Sequence, residues 1–165
     1  MIDAEVLTAA EALLTRTRAH GLKLGTAESC TGGLIAGALT AVAGSSDVVE
    51  GGFVTYSNEA KMAMLDVPAD LFPRVGAVSD AVAAAMASGV LGRLSRVDLA
   101  VSVTGIAGPG GGSADKPVGL VHFGIARRGR PTETSHEIFL GDRAGIRRAT
   151  VLHALALLAV AIDQN

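Results

Sequence analysis

The sequence predicts an α/β fold: a three-layer α/β/α sandwich with a mixed, mostly parallel central sheet. Three observations predict it. Short apolar runs alternate with helical stretches along most of the chain, the pattern of helices packed on both faces of a sheet. The run at 98–103 is mostly apolar, with small and β-branched residues in succession, as a strand buried on both faces requires. Two later strand-like segments flank Arg127-Arg-Gly-Arg-Pro131, a hairpin turn that makes the sheet mixed. The 165 residues suffice for a single domain, 1–165, with a sizeable core. Apolar residues make up 49% but aromatics only 3%, so that core must be built from Ala, Val, Leu and Ile.

The elements follow in order. Val6, Leu7, Ala10, Leu13 and Leu14 recur at helical spacing, and Gly21 stops that helix. A first strand is expected at 22–27, then a small-residue helix at 31–42 and a loop at 43–46. A second strand falls at 52–56 and a short helix at 58–65, capped by Ser57 or Asn58. The stretch 67–78, with Pro68 and Pro73, reads as irregular. Ser79 and Asp80 cap a long Ala-rich helix reaching about 95. After the 98–103 strand comes a Gly-rich loop at 105–116, then strands at 118–126 and 132–140. A closing helix runs from Asp142 or Arg143 to about 161.

Three loops, 28–33, 56–61 and 104–116, leave strand ends. Ligands of open α/β sheets bind beyond the carboxyl ends of the strands, so these loops are expected to converge on one site. The first reads Thr26-Ala-Glu-Ser-Cys-Thr-Gly-Gly33. A sharp strand-to-helix turn would hold Ser29 and Cys30 at its tip, with N–H groups of Cys30, Thr31, Gly32 and Gly33 aimed at whatever those side chains attack. A cap at Ser29 or Thr31, with glycines that only permit close packing, uses the same residues. The second loop reads Val54-Thr-Tyr-Ser-Asn-Glu-Ala-Lys61. Lys61 can deprotonate a serine where burial lowers its pKa towards neutrality, and Tyr56 can hold or relay the proton. A solvated Lys61 beside a core Tyr56 is the other reading. The third loop, Val103-Thr-Gly-Ile-Ala-Gly-Pro-Gly-Gly-Gly112, matches neither a P-loop nor a dinucleotide fingerprint. Gly108, Gly110 and Gly111 would let the backbone approach an anion, or serve only as loop punctuation. Arg143 and Arg147 share one helical face, placed to clamp a phosphate or carboxylate, or to form a surface pair with Asp142.

Five motifs occur in order: Ala27-Glu-Ser-Cys-Thr-Gly-Gly33, Tyr56-Ser-Asn-x-x-Lys61, Thr104-Gly-Ile-Ala-Gly-Pro-Gly-Gly-Gly112, Lys116-Pro-Val-Gly-Leu120 and Gly141-Asp-Arg-x-x-x-Arg147. Together they resemble the CinA C-terminal domain family over essentially the whole chain. The characterised activity of that family is nicotinamide-nucleotide amidase, which converts nicotinamide mononucleotide to nicotinate mononucleotide and ammonia in pyridine-nucleotide salvage. The resemblance implies Ser29 as nucleophile, Lys61 as base, Tyr56 as helper, Thr104 at the border of the site and Arg143 on the substrate. It implies no cofactor and no metal, and a homo-oligomer. A larger domain precedes this one in full-length relatives, so the chain resembles the stand-alone form. Cys30, beside the proposed nucleophile, is an alternative on chemistry alone, since a thiol is intrinsically the better nucleophile. A nucleotide-binding or regulatory module without catalysis is the competing functional class.

Composition narrows the partners. A net charge of −2 gives no electrostatic footprint for nucleic acid. His20, His122, His136 and His153 are scattered without metal-ligand spacing, so no catalytic metal is expected. The lone Cys30 forms no internal disulfide, which suits a reducing cytoplasm. The first residues lack the pattern of a signal peptide. No apolar run is read as long enough to span a membrane, with 151–162 the nearest.

Overall fold

In the computed structural model, which describes residues 2–164, the chain opens with α1 (Ala4–Ala19), capped by the Asp3 side chain accepting from the Val6 N–H. Gly21 takes a positive φ of 65° just past its end, as the sequence predicts for a helix stop. Then come β1 (Leu24–Glu28), α2 (Leu34–Thr40), a 3₁₀ turn (Ser45–Asp47), β2 (Val49–Val54), α3 (Asn58–Leu65), α4 (Leu71–Val75) and α5 (Asp80–Arg93). The chain ends with β3 (Leu99–Gly105), β4 (Leu120–Arg127), β5 (Glu133–Ile138) and α6 (Arg143–Asp163).

The sheet order is β2-β1-β3-β4-β5. β1 pairs in parallel with β2 and β3, while β4 runs antiparallel to both β3 and β5. Four of the five strands therefore point the same way, and the hairpin supplies the mixed character. The chain leaves β1 outward to β2 and returns to β3 on β1's other side. That reversal creates a crevice at the carboxyl ends of β1 and β3, where α/β sheets bind ligands.

β3 explains the three layers. Leu99, Val101 and Val103 face a core shared with α1, α2 and α6, and Ala100 faces a second core shared with α5. Both cores are aliphatic, with Phe123 as the largest fully buried aromatic side chain. At Gly124 on β4 a Cβ would lie 2.4 Å from the Ala83 carbonyl oxygen, so α5 can pack this closely only against glycine.

Three expectations need correction. α2 begins at Leu34 rather than 31, because Gly32 and Gly33 both take positive φ (60° and 94°) and wind the turn in the wrong sense for a helix. The irregular stretch at 67–78 contains α4. The closing helix, α6, continues to Asp163 rather than about 161; its 21 residues are apolar enough by length and composition to cross a membrane, although Arg147 and Arg148 interrupt the apolar run. In this fold it packs on α1, β3 and β4, and buries Ile146, Val151, Leu155, Leu158 and Ile162 in the core.

Candidate active site

The three predicted loops do converge at the carboxyl ends of the parallel strands. Ser29 follows β1 directly, and its N–H donates to the Val103 carbonyl of β3 at 3.1 Å, which fixes the residue in the crevice. Lys61 stands one turn into α3, whose N-terminus is capped by Ser57. That turn carries the lysine back over β1. Its Nζ lies 3.0 Å from Ser29 Oγ and 2.9 Å from the Thr55 carbonyl oxygen. Lys61 is only 1% exposed, so it is not a solvated surface charge.

Burial is also what lowers the Lys61 pKa below its ordinary 10.5, since water can no longer solvate the ammonium. Cys30 supplies no counter-charge at neutral pH. Its thiol is pushed up to about 11, first by burial and also by the negative charge of Glu28. The same environment thus favours a neutral amine at Lys61 and a protonated thiol at Cys30.

Glu28 is the residue that sequence reasoning missed. Fully buried at the end of β1, it does the capping expected of Ser29 or Thr31. Its side-chain oxygens accept from the N–H groups of Gly33, Ile35 and Ala36 at 3.0, 3.0 and 2.8 Å, and from the Thr31 hydroxyl at 2.6 Å. A carboxylate set against the first turn of a helix is stabilised by the helix dipole as well as by these bonds. The consequence reaches the turn. Gly33 N–H is taken by Glu28, Gly32 N–H by the Ser29 carbonyl and Leu34 N–H by Thr31. Within 29–36, only the N–H groups of Cys30 and Thr31 have no hydrogen-bonding partner on another residue among the described residues. Of the four N–H groups expected to face an anion, those of Gly32 and Gly33 are thus engaged within the turn. Thr31 is wholly buried and lines neither of the two pockets at this site, whereas Cys30 lines the smaller one.

Arg147 does not pair with Arg143 around an open clamp. Its Nε and Nη2 donate to the carbonyls of Cys30 and Thr31 at 3.1 and 2.8 Å. Because a peptide unit is planar, holding the Cys30 carbonyl also sets the direction of the Thr31 N–H. Arg143 bridges two loops instead, donating from Nη1 to the Gly108 carbonyl at 2.8 Å and from Nη2 to the Tyr56 hydroxyl at 3.0 Å. Tyr56 is 62% exposed, and its hydroxyl is paired with Arg143 rather than with Ser29 or Lys61. Thr104 donates to the Ala77 carbonyl at 2.8 Å and so pins the wall at 77–78.

Two adjoining pockets result. One, of about 240 Å³, is lined by Ser29, Cys30, Tyr56, Lys61, Thr104 and Arg143, together with Asn58, Ala77 and Val78. Asn58, read from the sequence only as an alternative to Ser57 for the helix cap, lies inside the Tyr56-to-Lys61 motif and lines this pocket instead. The other, of about 610 Å³, is lined by Ala107, Pro109, Val118, Gly141, Asp142, Arg143, Ala144 and Arg147. Arg143 and Ala107 border both. Of the glycine loop, Gly108 contributes its carbonyl to Arg143, whereas Gly110 and Gly111 are exposed and line neither pocket.

Comparison with known proteins places this arrangement. The model of the CinA C-terminal domain family matches residues 6–162. The chain is 46% identical over 165 residues to nicotinamide-nucleotide amidohydrolase PncC of Escherichia coli K12, covering 100% of this chain and 99% of that protein. It is 51% identical over 153 residues to a CinA-like protein of Synechococcus, covering 90% of this chain but 36% of that longer relative. Among solved structures, the competence/damage inducible protein CihA of Agrobacterium tumefaciens superposes with a TM-score of 0.94 at 48% identity, over 99% of both chains.

Proposed function

The chain belongs to the CinA C-terminal domain family, and from that premise we propose that it is an amidase that hydrolyses the carboxamide of nicotinamide mononucleotide by a serine nucleophile and a lysine base. The observation that carries the reading is the 3.0 Å contact between the buried Lys61 amine and Ser29 Oγ. Full-length similarity to a nicotinamide-nucleotide amidohydrolase supports the substrate.

The proposed steps use this geometry. Neutral Lys61 takes the Ser29 proton as Oγ attacks the carboxamide carbon, and the carbonyl π pair moves onto oxygen. The N–H of Cys30, which lines the pocket, receives that oxyanion, while Arg147 holds the next peptide unit of the turn through the Cys30 carbonyl. On collapse, the C–N bond breaks and Lys61 returns the proton, so that ammonia leaves and a nicotinoyl ester stays on Ser29. Lys61 then deprotonates water, whose oxygen attacks the ester carbon; the acyl–Oγ bond breaks, Lys61 returns the proton to Ser29 Oγ, and nicotinate mononucleotide leaves. No step calls on a metal or cofactor. A thiol held up at about 11 makes Cys30 the poorer candidate at neutral pH.

The two pockets suit the two parts of the substrate. The smaller one takes the pyridine carboxamide against Ser29, and the larger takes the ribose phosphate against Arg143 and the start of α6. Binding the phosphate remotely positions the amide for attack. Tyr56 serves by holding Arg143. The reading also includes a homo-oligomer, supported by the exposed Ile138 and Leu140 on and beside the edge strand β5, and a reducing compartment, supported by the free Cys30.

The experiment is ammonia release by the purified chain. Nicotinamide mononucleotide should be deamidated and free nicotinamide largely refused, with turnover lost in Ser29→Ala. Binding of the nucleotide without ammonia release would leave a binding module in place of an enzyme.

A further inference from the structure

We propose that Asp80, His122 and His136 form a binding site for a divalent transition-metal ion of the zinc class, apart from the Ser29 pocket. The β4–β5 register sets His122 directly opposite His136, and directly opposed residues of paired strands project to the same face. The two imidazole rings stand 5.1 Å apart between centroids, tilted by 38°. Asp80 opens α5 over that face, with its Oδ1 2.6 Å from His122 Nδ1. One ligating atom from each of the three residues lies within 4.8 Å of the other two.

Ligands around a tetrahedral ion, with bonds of about 2.0–2.2 Å, stand roughly 3.3–3.6 Å apart, so closure needs only side-chain rotation. The Asp80 and His136 side chains are exposed, Asp80 already bonded to His122, while the His122 side chain is only 12% exposed. The His122 and His136 side chains line a cleft of about 370 Å³ that also includes Ser79 and Asp115. Water can complete the shell. Lys116 also borders the cleft, but its ammonium is engaged by the Val75 carbonyl at 2.5 Å. Two imidazoles with one carboxylate favour zinc, cobalt, nickel or copper over magnesium or calcium, which prefer oxygen-only shells. A bound ion would tie the β4–β5 hairpin to the start of α5. Val78 lines both this cleft and the Ser29 pocket, so the tie also steadies one wall of the active site.

The test titrates tag-free full-length protein with Zn²⁺ by calorimetry, and with Co²⁺ by visible absorption. One ion per chain is expected. His136→Ala and Asp80→Asn should each weaken binding at least tenfold, while His20→Ala, at an exposed histidine elsewhere, should leave it unchanged. Imidazole ligation should give Co²⁺ a visible band that His136→Ala loses. Circular dichroism of each variant checks that the fold persists. His136 sits exposed on an edge strand, where its loss costs the core nothing. No binding, or binding and a Co²⁺ band unchanged in His136→Ala, overturns the proposal.

Discussion

In the proposed mechanism a single side chain, Lys61, sets the terms of the chemistry. Its amine is buried, and burial lowers its pKa from 10.5. As base it must be neutral, so kcat/KM should climb with pH through the lowered pKa and then level off. Stability has the same sign. Between the lowered pKa and 10.5 the unfolded chain binds the proton and the folded chain does not, so stability should rise with pH across that window. Lys61→Met should remove this slope and all turnover, without unfolding the protein. Urea unfolding across pH measures it, and an unchanged slope in the Met variant would assign the effect to another group. Arg143 acts differently, because it borders both pockets. Arg143→Ala should weaken nucleotide binding by roughly 1.5–3 kcal/mol, about tenfold or more, and leave the poor rate on free nicotinamide little changed. Steady-state kinetics on both substrates decides this. An equal loss on the two would place Arg143 in the chemistry or the fold.

At the scale of elements, the strand-to-helix turn after β1 is set by Glu28. Glu28→Gln keeps the shape but puts an amide donor against backbone donors, and should destabilise the fold by about 2–4 kcal/mol in denaturant unfolding. An unshifted midpoint would show that the Glu28 bonds contribute little. This turn also shows where the sequence is legible and where it is not. Strand ends follow from apolar runs, so Ser29, Lys61 and the three loops can be placed by local pattern. Ser57 and Ser79 cap α3 and α5 as expected, because a cap is local. Glu28 is hidden, since it caps α2 from the far side of a glycine turn, five to eight residues away along the chain. Likewise, Arg143 and Arg147 share the spacing of a clamp, yet only tertiary contacts send one guanidinium to loop carbonyls behind the turn and the other to Tyr56.

Across the whole molecule, the proposed function follows from where the sheet reverses its order. β1 and β3 bring the Ser29 turn and the Thr104 loop together, and β2 delivers α3 with its lysine. The sandwich is legible from the alternation of elements. The meeting of Asp80, His122 and His136 is not, because it depends on strand register and on α5 lying over β4. The account's central claim is a covalent ester on Ser29, and rapid acid quench followed by mass spectrometry tests it most directly. Wild-type protein mixed with nicotinamide mononucleotide should carry a nicotinoyl-nucleotide adduct. Fragmentation of the tryptic peptide that begins at Leu24 should place that adduct on Ser29, and Ser29→Ala should show none. An adduct on Cys30, or one that persists in Ser29→Ala, would contradict the account.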